Sequence, residues 1–176
     1  MSNSKTADLE KALAPLPQGR RLVMTVGNSF RSDDGVGPFI ADRLAAWEDA
    51  EGLRESEGSE ISLDWINAGQ NPENIIEDAI ARNPDRLVVI DAADFGGKPG
   101  EARIIPSGLI PESTLSTHMV PLSVITQLIA DATGSETVFL GIQAVSFALG
   151  EGLTIAVQET GEAIVKFLTQ DKSNQE

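Results

Sequence analysis

An open, mostly parallel β-sheet of about five strands, covered by helices on both faces, is the fold this sequence predicts. Three observations predict it. Short apolar runs rich in β-branched residues alternate with longer segments whose apolar residues recur every three or four positions. One run, Leu-Val-Val-Ile at 87–90, is apolar at every position, as a strand buried on both faces requires. The runs are far enough apart for crossover helices, except at one place that leaves room only for an antiparallel edge pairing. The expected architecture is an α/β three-layer sandwich.

The elements follow in chain order. Residues 21–27 (RLVMTVG) read as a buried strand ended by Gly-Asn. A polar loop leads to 36–47, where Val36, Phe39, Ile40, Leu44 and Trp47 make one helical face and Pro38 suits a first turn. Between Asp42 and Glu60, seven carboxylates against two arginines, with Gly52 and Gly58 interleaved, read as a solvated helix end and loop. A strand at 61–68 runs into Asn71-Pro72, a cap and first-turn pair for a helix whose inward face is Ile75, Ile76, Ala79 and Ile80. That helix should stop near Asn83-Pro84. Strands are expected at 86–91, 101–106 and 137–144, and helices at 121–132 and 155–168. The close pair 86–91 and 101–106 is the expected antiparallel edge.

With 176 residues the chain fits one domain, at roughly 150 residues per domain. Residues 1–20 are expected to be a flexible N-terminal extension, 21–168 the single α/β domain, and 169–176 a polar tail. The extension lacks the apolar core of a signal peptide, and no run approaches the roughly 20 apolar residues of a membrane span. A cytoplasmic protein with no membrane partner is expected. A formal charge of 13 − 27 = −14 with no Lys/Arg cluster excludes nucleic acid as a favoured partner and suits a soluble monomer. The absence of Cys removes disulfides, thiolate nucleophiles and iron–sulfur clusters; a lone His removes any two-His metal site.

In open α/β sheets, ligands bind beyond the carboxyl ends of the strands. Three places there carry chemistry: the loop Gly27-Asn-Ser-Phe-Arg-Ser-Asp-Asp-Gly-Val-Gly37, the strand end Asp91-Ala-Ala-Asp94, and the loop with His118. No G-x-G-x-x-G and no P-loop is present, and Asp33 with Asp34 would repel a pyrophosphate. Taken alone, Asp91 reads more readily as a turn cap than as a catalytic residue, and His118 reads also as a packed histidine. The fold rule, however, brings Asp34, Asp91 and His118 to one rim. Two carboxylates and an imidazole suit a divalent metal such as nickel or zinc, with positions left for water or substrate. A Ser-His-Asp hydrolase through Ser116 or Ser123 lacks the G-x-S-x-G elbow. Gly27, Gly35 and Gly37 read as backbone-shaping residues, Asn28 and Asp33 as groups that orient Asp34 or a bound backbone, and Arg31 as a surface charge.

At these residues the sequence resembles the [NiFe]-hydrogenase maturation endopeptidases, most of all the branch that processes the large subunit of formate hydrogenlyase-type (hydrogenase 3-type) enzymes. The resemblance rests on VGNSFRSDDGVGP (26–38), VVIDAADFGGKPGEARII (88–105), STHMVPLSVI (116–125) and VFLGIQA (138–144), in the family's order and spacing. It anchors residues 22–168. The N-terminal extension and a longer acidic insertion at 48–60 depart from the pattern without touching the three candidates.

The resemblance implies an endopeptidase that removes a C-terminal peptide from a hydrogenase large-subunit precursor after nickel insertion. It implies that Asp34, Asp91 and His118 bind nickel and carry catalysis, and that the nickel belongs largely to the precursor. The alternative held beside it is a non-enzymatic assembly factor that recognises nickel-loaded precursor without cutting. A third reading, an unrelated metal-dependent hydrolase, expects tight metal binding by the isolated protein.

Overall fold

The computed structural model describes residues 3–51, 63–109 and 120–170. The expected architecture is present: a five-stranded sheet of order β2-β1-β3-β5-β4, made of β1 (Arg21–Val26), β2 (Asp64–Gly69), β3 (Arg86–Ala93), β4 (Ala102–Ile105) and β5 (Glu136–Gln143). All pairings are parallel except β4 with β5. Helices α1 (Asn3–Leu13), α2 (Val36–Ala50), α3 (Ile76–Arg82), α4 (Leu122–Thr133) and α5 (Ile155–Gln170) cover it.

Alternation along the central strands divides the core in two. Val23, Val88, Ile90, Leu140 and Ile142 face α1, α2 and α5, through Leu9, Leu13, Ile40, Leu44, Ile164 and their neighbours. Leu22, Met24, Leu87, Val89 and Phe139 face the opposite layer, with Ala79, Ile125 and Ile129 of α3 and α4. Every residue of β1 is buried, which is why its sequence reads as a continuous apolar run. At about 1.5–3 kcal/mol per fully buried aliphatic side chain, these two layers dominate the stability of the fold.

Two features differ from the sequence reading. The antiparallel partner of β4 is β5, not β3: Ala102 faces Ile142 and Ile105 faces Phe139. β5 is buried from Phe139 to Gln143 and takes the central place beside β3, which displaces β4 to the edge. Residues 3–13, inside the segment expected to be flexible, form α1, and Leu9, Ala12 and Leu13 are buried. Their spacing of three and four makes an apolar stripe too short to stand out among polar neighbours.

Helix ends follow local chemistry. Asn83 adopts φ +46° and Gly134 φ +74°, the left-handed conformation that stops a helix; Pro84 then prevents α3 from resuming. Among the described residues no helix is long and apolar enough to cross a membrane.

Candidate active site

The loop after β1 doubles back sharply, and two glycines permit it. Gly27 has φ +144°, and a Cβ there would lie 1.9 Å from the Asp34 carbonyl oxygen. A Cβ on Gly37 would lie 2.0 Å from the Val26 carbonyl oxygen, so the start of α2 can press against the end of β1 only without a side chain. The return is closed by the Asn28 N–H, which donates to both the Asp34 carbonyl (3.0 Å) and its Oδ2 (3.1 Å). Asn28 thus orients Asp34 through its backbone. Its side chain meanwhile donates to Gln70 Oε1 after β2 (3.0 Å) and accepts from the Phe30 N–H (2.9 Å).

Asp34 sits in a single 3-10 turn, Ser32–Gly35, which packs over the end of β3. Asp91 lies in the last turn of pleat of β3, opposite Gly141 of β5. The residue is half-buried, but its Oδ1 is sealed from solvent and accepts no hydrogen bond. Burial first, and then the negative charge of Asp34, push the Asp91 carboxyl well above the ordinary carboxylate range; a backbone hydrogen bond from Ala92 offsets only part of this. The structure therefore brings Asp34 and Asp91 together. His118 and Ser116 lie outside the described residues, while Ser123 is half-buried in α4.

Asp33 is fully buried and has a different job from its neighbour. Its carboxylate accepts from the N–H groups of Val145 (2.8 Å), Ser146 (3.1 Å) and Thr154 (2.7 Å), and from the Thr154 hydroxyl (3.0 Å). It ties the 145–154 segment to the first loop, so neither of the roles read for it in the sequence uses these oxygens. The two loops also pair directly: Ser32 N–H donates to the Gly150 carbonyl and Gly150 N–H to the Phe30 carbonyl. Arg31, read as a surface charge, is half-buried and donates to the Phe147 carbonyl (3.2 Å).

Sequence reading missed two further rim residues. Gln143 is buried; its Oε1 accepts from Phe95 and Gly97, and its amide donates to Asp94 and the Ala144 carbonyl, shaping the loop after β3. Glu73, in the 3-10 turn after β2, has an Oε2 that is buried without a hydrogen-bond partner. Neither sits in a recognisable spacing. Away from this rim, a cleft of about 590 Å³ lined by Arg20, Glu48, Trp65 and Arg82 opens at the opposite end of the sheet, remote from both site carboxylates.

Among the described residues no group of three or more His, Cys, Asp and Glu side chains could hold a metal ion. Asp34 and Asp91 are a partial donor set, and the sealed Asp91 oxygen is one that a cation could satisfy.

The family model HycI, hydrogenase maturation protease, matches residues 49–171. The chain belongs to the hydrogenase maturation protease family. It is 36% identical over 123 residues to the hydrogenase 3 maturation protease of Escherichia coli K12, covering 69% of this chain and 71% of that protein. The crystal structure of the [NiFe] hydrogenase maturation protease HycI from Thermococcus kodakarensis superposes with a TM-score of 0.74 at 29% identity, over 94% of this chain and 99% of the other. The solution structure of the endopeptidase HycI from Escherichia coli gives 0.69 at 29%, over 86% and 91%. This family member is accordingly a hydrogenase maturation endopeptidase, a hydrolase. The family-model match includes Asp91 and His118 and begins after the loop of Asp34.

Proposed function

We propose that this protein removes a C-terminal peptide from a [NiFe]-hydrogenase large-subunit precursor once nickel has been inserted, and that Asp34, Asp91 and His118 meet the nickel carried by that precursor. The observation that supports the reading is the Asp34–Asp91 pair. One carboxylate is desolvated, keeps an unsatisfied oxygen and is pressed by the charge of the other, so the pairing is electrostatically unfavourable. An approaching cation relieves both penalties together.

In hydrolysis the water oxygen adds to the scissile carbonyl carbon, the C–N bond breaks, and the departing nitrogen takes a proton. A rim carboxylate not engaged by the nickel at that moment can accept a proton from water and pass it to the departing nitrogen. Nickel in the substrate supplies a charge that polarises the carbonyl or the water. A metal brought by the substrate suits a protein with one imidazole and two rim carboxylates, which should hold nickel weakly by itself. On this reading the processing takes place in the cytoplasm.

The deciding experiment is mass spectrometry of a large-subunit precursor incubated with this protein, with and without prior nickel loading. Loss of a C-terminal peptide only from the nickel-loaded sample is the expected result. Cleavage without nickel would remove the metal from the reading. Stable binding of a verified nickel-loaded precursor with no shortened product would leave an assembly factor instead. His118→Ala should abolish processing with the circular dichroism spectrum unchanged; full processing by that variant would sink its assigned role.

A further inference from the structure

The paired loops that carry Asp34 also hold large apolar side chains in water. Phe30 is 62% exposed, Val145 56% and Leu149 84%. A flexible loop could fold such groups inward, but these backbones are pinned. Gly150 N–H bonds to the Phe30 carbonyl at 2.9 Å, which sets Leu149 beside Phe30, and Val145 N–H is held at 2.8 Å by Asp33. The chain thus uses hydrogen bonds between these loops to keep apolar groups outside.

The surroundings point the same way. Residues 145–150, beyond the buried part of β5, contain no Asp, Glu, Lys or Arg, in a chain of net charge −14. The uncharged strip is continuous with the site: Ala144 N–H donates to the Ala93 carbonyl at 3.0 Å, two residues beyond Asp91, and Phe30 lies four residues before Asp34 in the same loop. Exposed apolar groups on a rigid frame, bordered by charge, are the pattern of a protein-binding surface.

We propose that Phe30, Val145 and Leu149 form the docking strip that grips apolar side chains of the precursor's extended C-terminal segment next to the bond to be cut, and so determine which precursor is accepted. This rests on the endopeptidase reading. The occupant follows from the strip's continuity with the site: Phe30 shares the loop of Asp34, and the segment that carries Val145 and Leu149 is bonded to the end of β3 through Ala144 and Ala93, so a segment lying over Asp34 and Asp91 has the strip beside it. The strip recognises hydrophobic side chains on an extended chain, and Phe30, Val145 and Leu149 themselves carry no charge with which to select an ionic partner.

The test is the double variant Phe30→Ser/Leu149→Ser, with Val145→Ser as a second, each measured for thermal midpoint, for binding to purified nickel-loaded precursor, and for KM and kcat of processing. The expected result for the double variant is an unchanged midpoint, a KM and Kd raised about tenfold or more, and kcat within about twofold of the parent, since truncating central apolar anchors costs more than 1 kcal/mol. Phe30→Leu, which keeps an apolar group, should restore most of the affinity. Wild-type KM and binding in the double variant would overturn the strip while leaving the endopeptidase reading intact. So would sedimentation showing that the same residues join two copies of this chain and that separating them leaves processing unchanged. If the parent binds without cutting and the double variant loses binding, the strip stands and the endopeptidase reading falls; if the parent neither binds nor cuts, both fall.

Discussion

Asp33 and Asp91 are carboxylates at the same rim of one sheet, and the fold treats them in opposite ways. Four donors converge on Asp33 at 2.7–3.1 Å. Asp91 keeps a sealed oxygen with no partner and feels the charge of Asp34. Saturating a buried carboxylate makes it a joint; starving one makes it a site. The Asp33 carboxylate is engaged by the 145–154 segment, whereas Asp91 stores an unfavourable interaction that a proton or a cation relieves.

The contrast can be broken at either end. Asp33→Ala should have the largest effect on stability: it strands three N–H groups and a hydroxyl, costs on the order of 3 kcal/mol, and lowers the thermal midpoint by roughly 6–12 °C. An unchanged midpoint would mean the 145–154 loop holds itself in place. Asp91→Asn should act the other way, reducing processing about 100-fold or more while raising the midpoint. Its pH dependence has a definite sign. The folded protein binds the Asp91 proton more tightly than the unfolded chain does, so the wild type's stability from this group is intact below the ordinary carboxylate range and is lost as pH rises through the raised folded value. The asparagine variant does not ionise, so its advantage in midpoint should grow as pH rises through that window. A variant less stable than wild type at neutral pH would show that Asp91 is not starved.

Two smaller changes sharpen the comparison. Gly27→Ala leaves every carboxylate in place but drives a methyl into the Asp34 carbonyl, 1.9 Å from where its Cβ must go. It should cost about 2 kcal/mol and reduce processing beyond what that loss explains, read as a lower kcat on protein still folded at the assay temperature. Thr154→Val removes one of the four donors to Asp33. It should cost about 1 kcal/mol in a denaturant titration and leave kcat unchanged; a fall in kcat would tie the hub to catalysis.

This division was only half legible in the sequence. Among the described residues, local patterns named the strands and α-helices from residue 21 onward to within a few residues, because burial on two faces writes itself as an apolar run and burial on one as a period. The rule about strand ends led to Asp34 and Asp91. Nothing local separates Asp33 from Asp34, however, since the donors that claim Asp33 lie 112 to 121 residues further on. The same long range hid the place of β5 between β3 and β4, and the role of Gln143, whose amide organises a loop some fifty residues earlier. Properties set by neighbours in sequence could be read; those set by neighbours in space could not.

The N-terminal helix bears on the order in which the chain can be completed. α1 leaves the ribosome before the sheet does, and what it packs against is made much later: Asp8 accepts the N–H of Ile104 on the edge strand at 3.1 Å, and Leu9 and Leu13 join a core that includes Leu140 and Ile164. Through most of synthesis its apolar stripe has no place to go, and it can dock only after β4 and β5 have paired. A helix made before the sheet is thus fitted after it, and its Asp8 takes up the N–H of Ile104 on the edge strand, a group at which two nascent copies could otherwise pair.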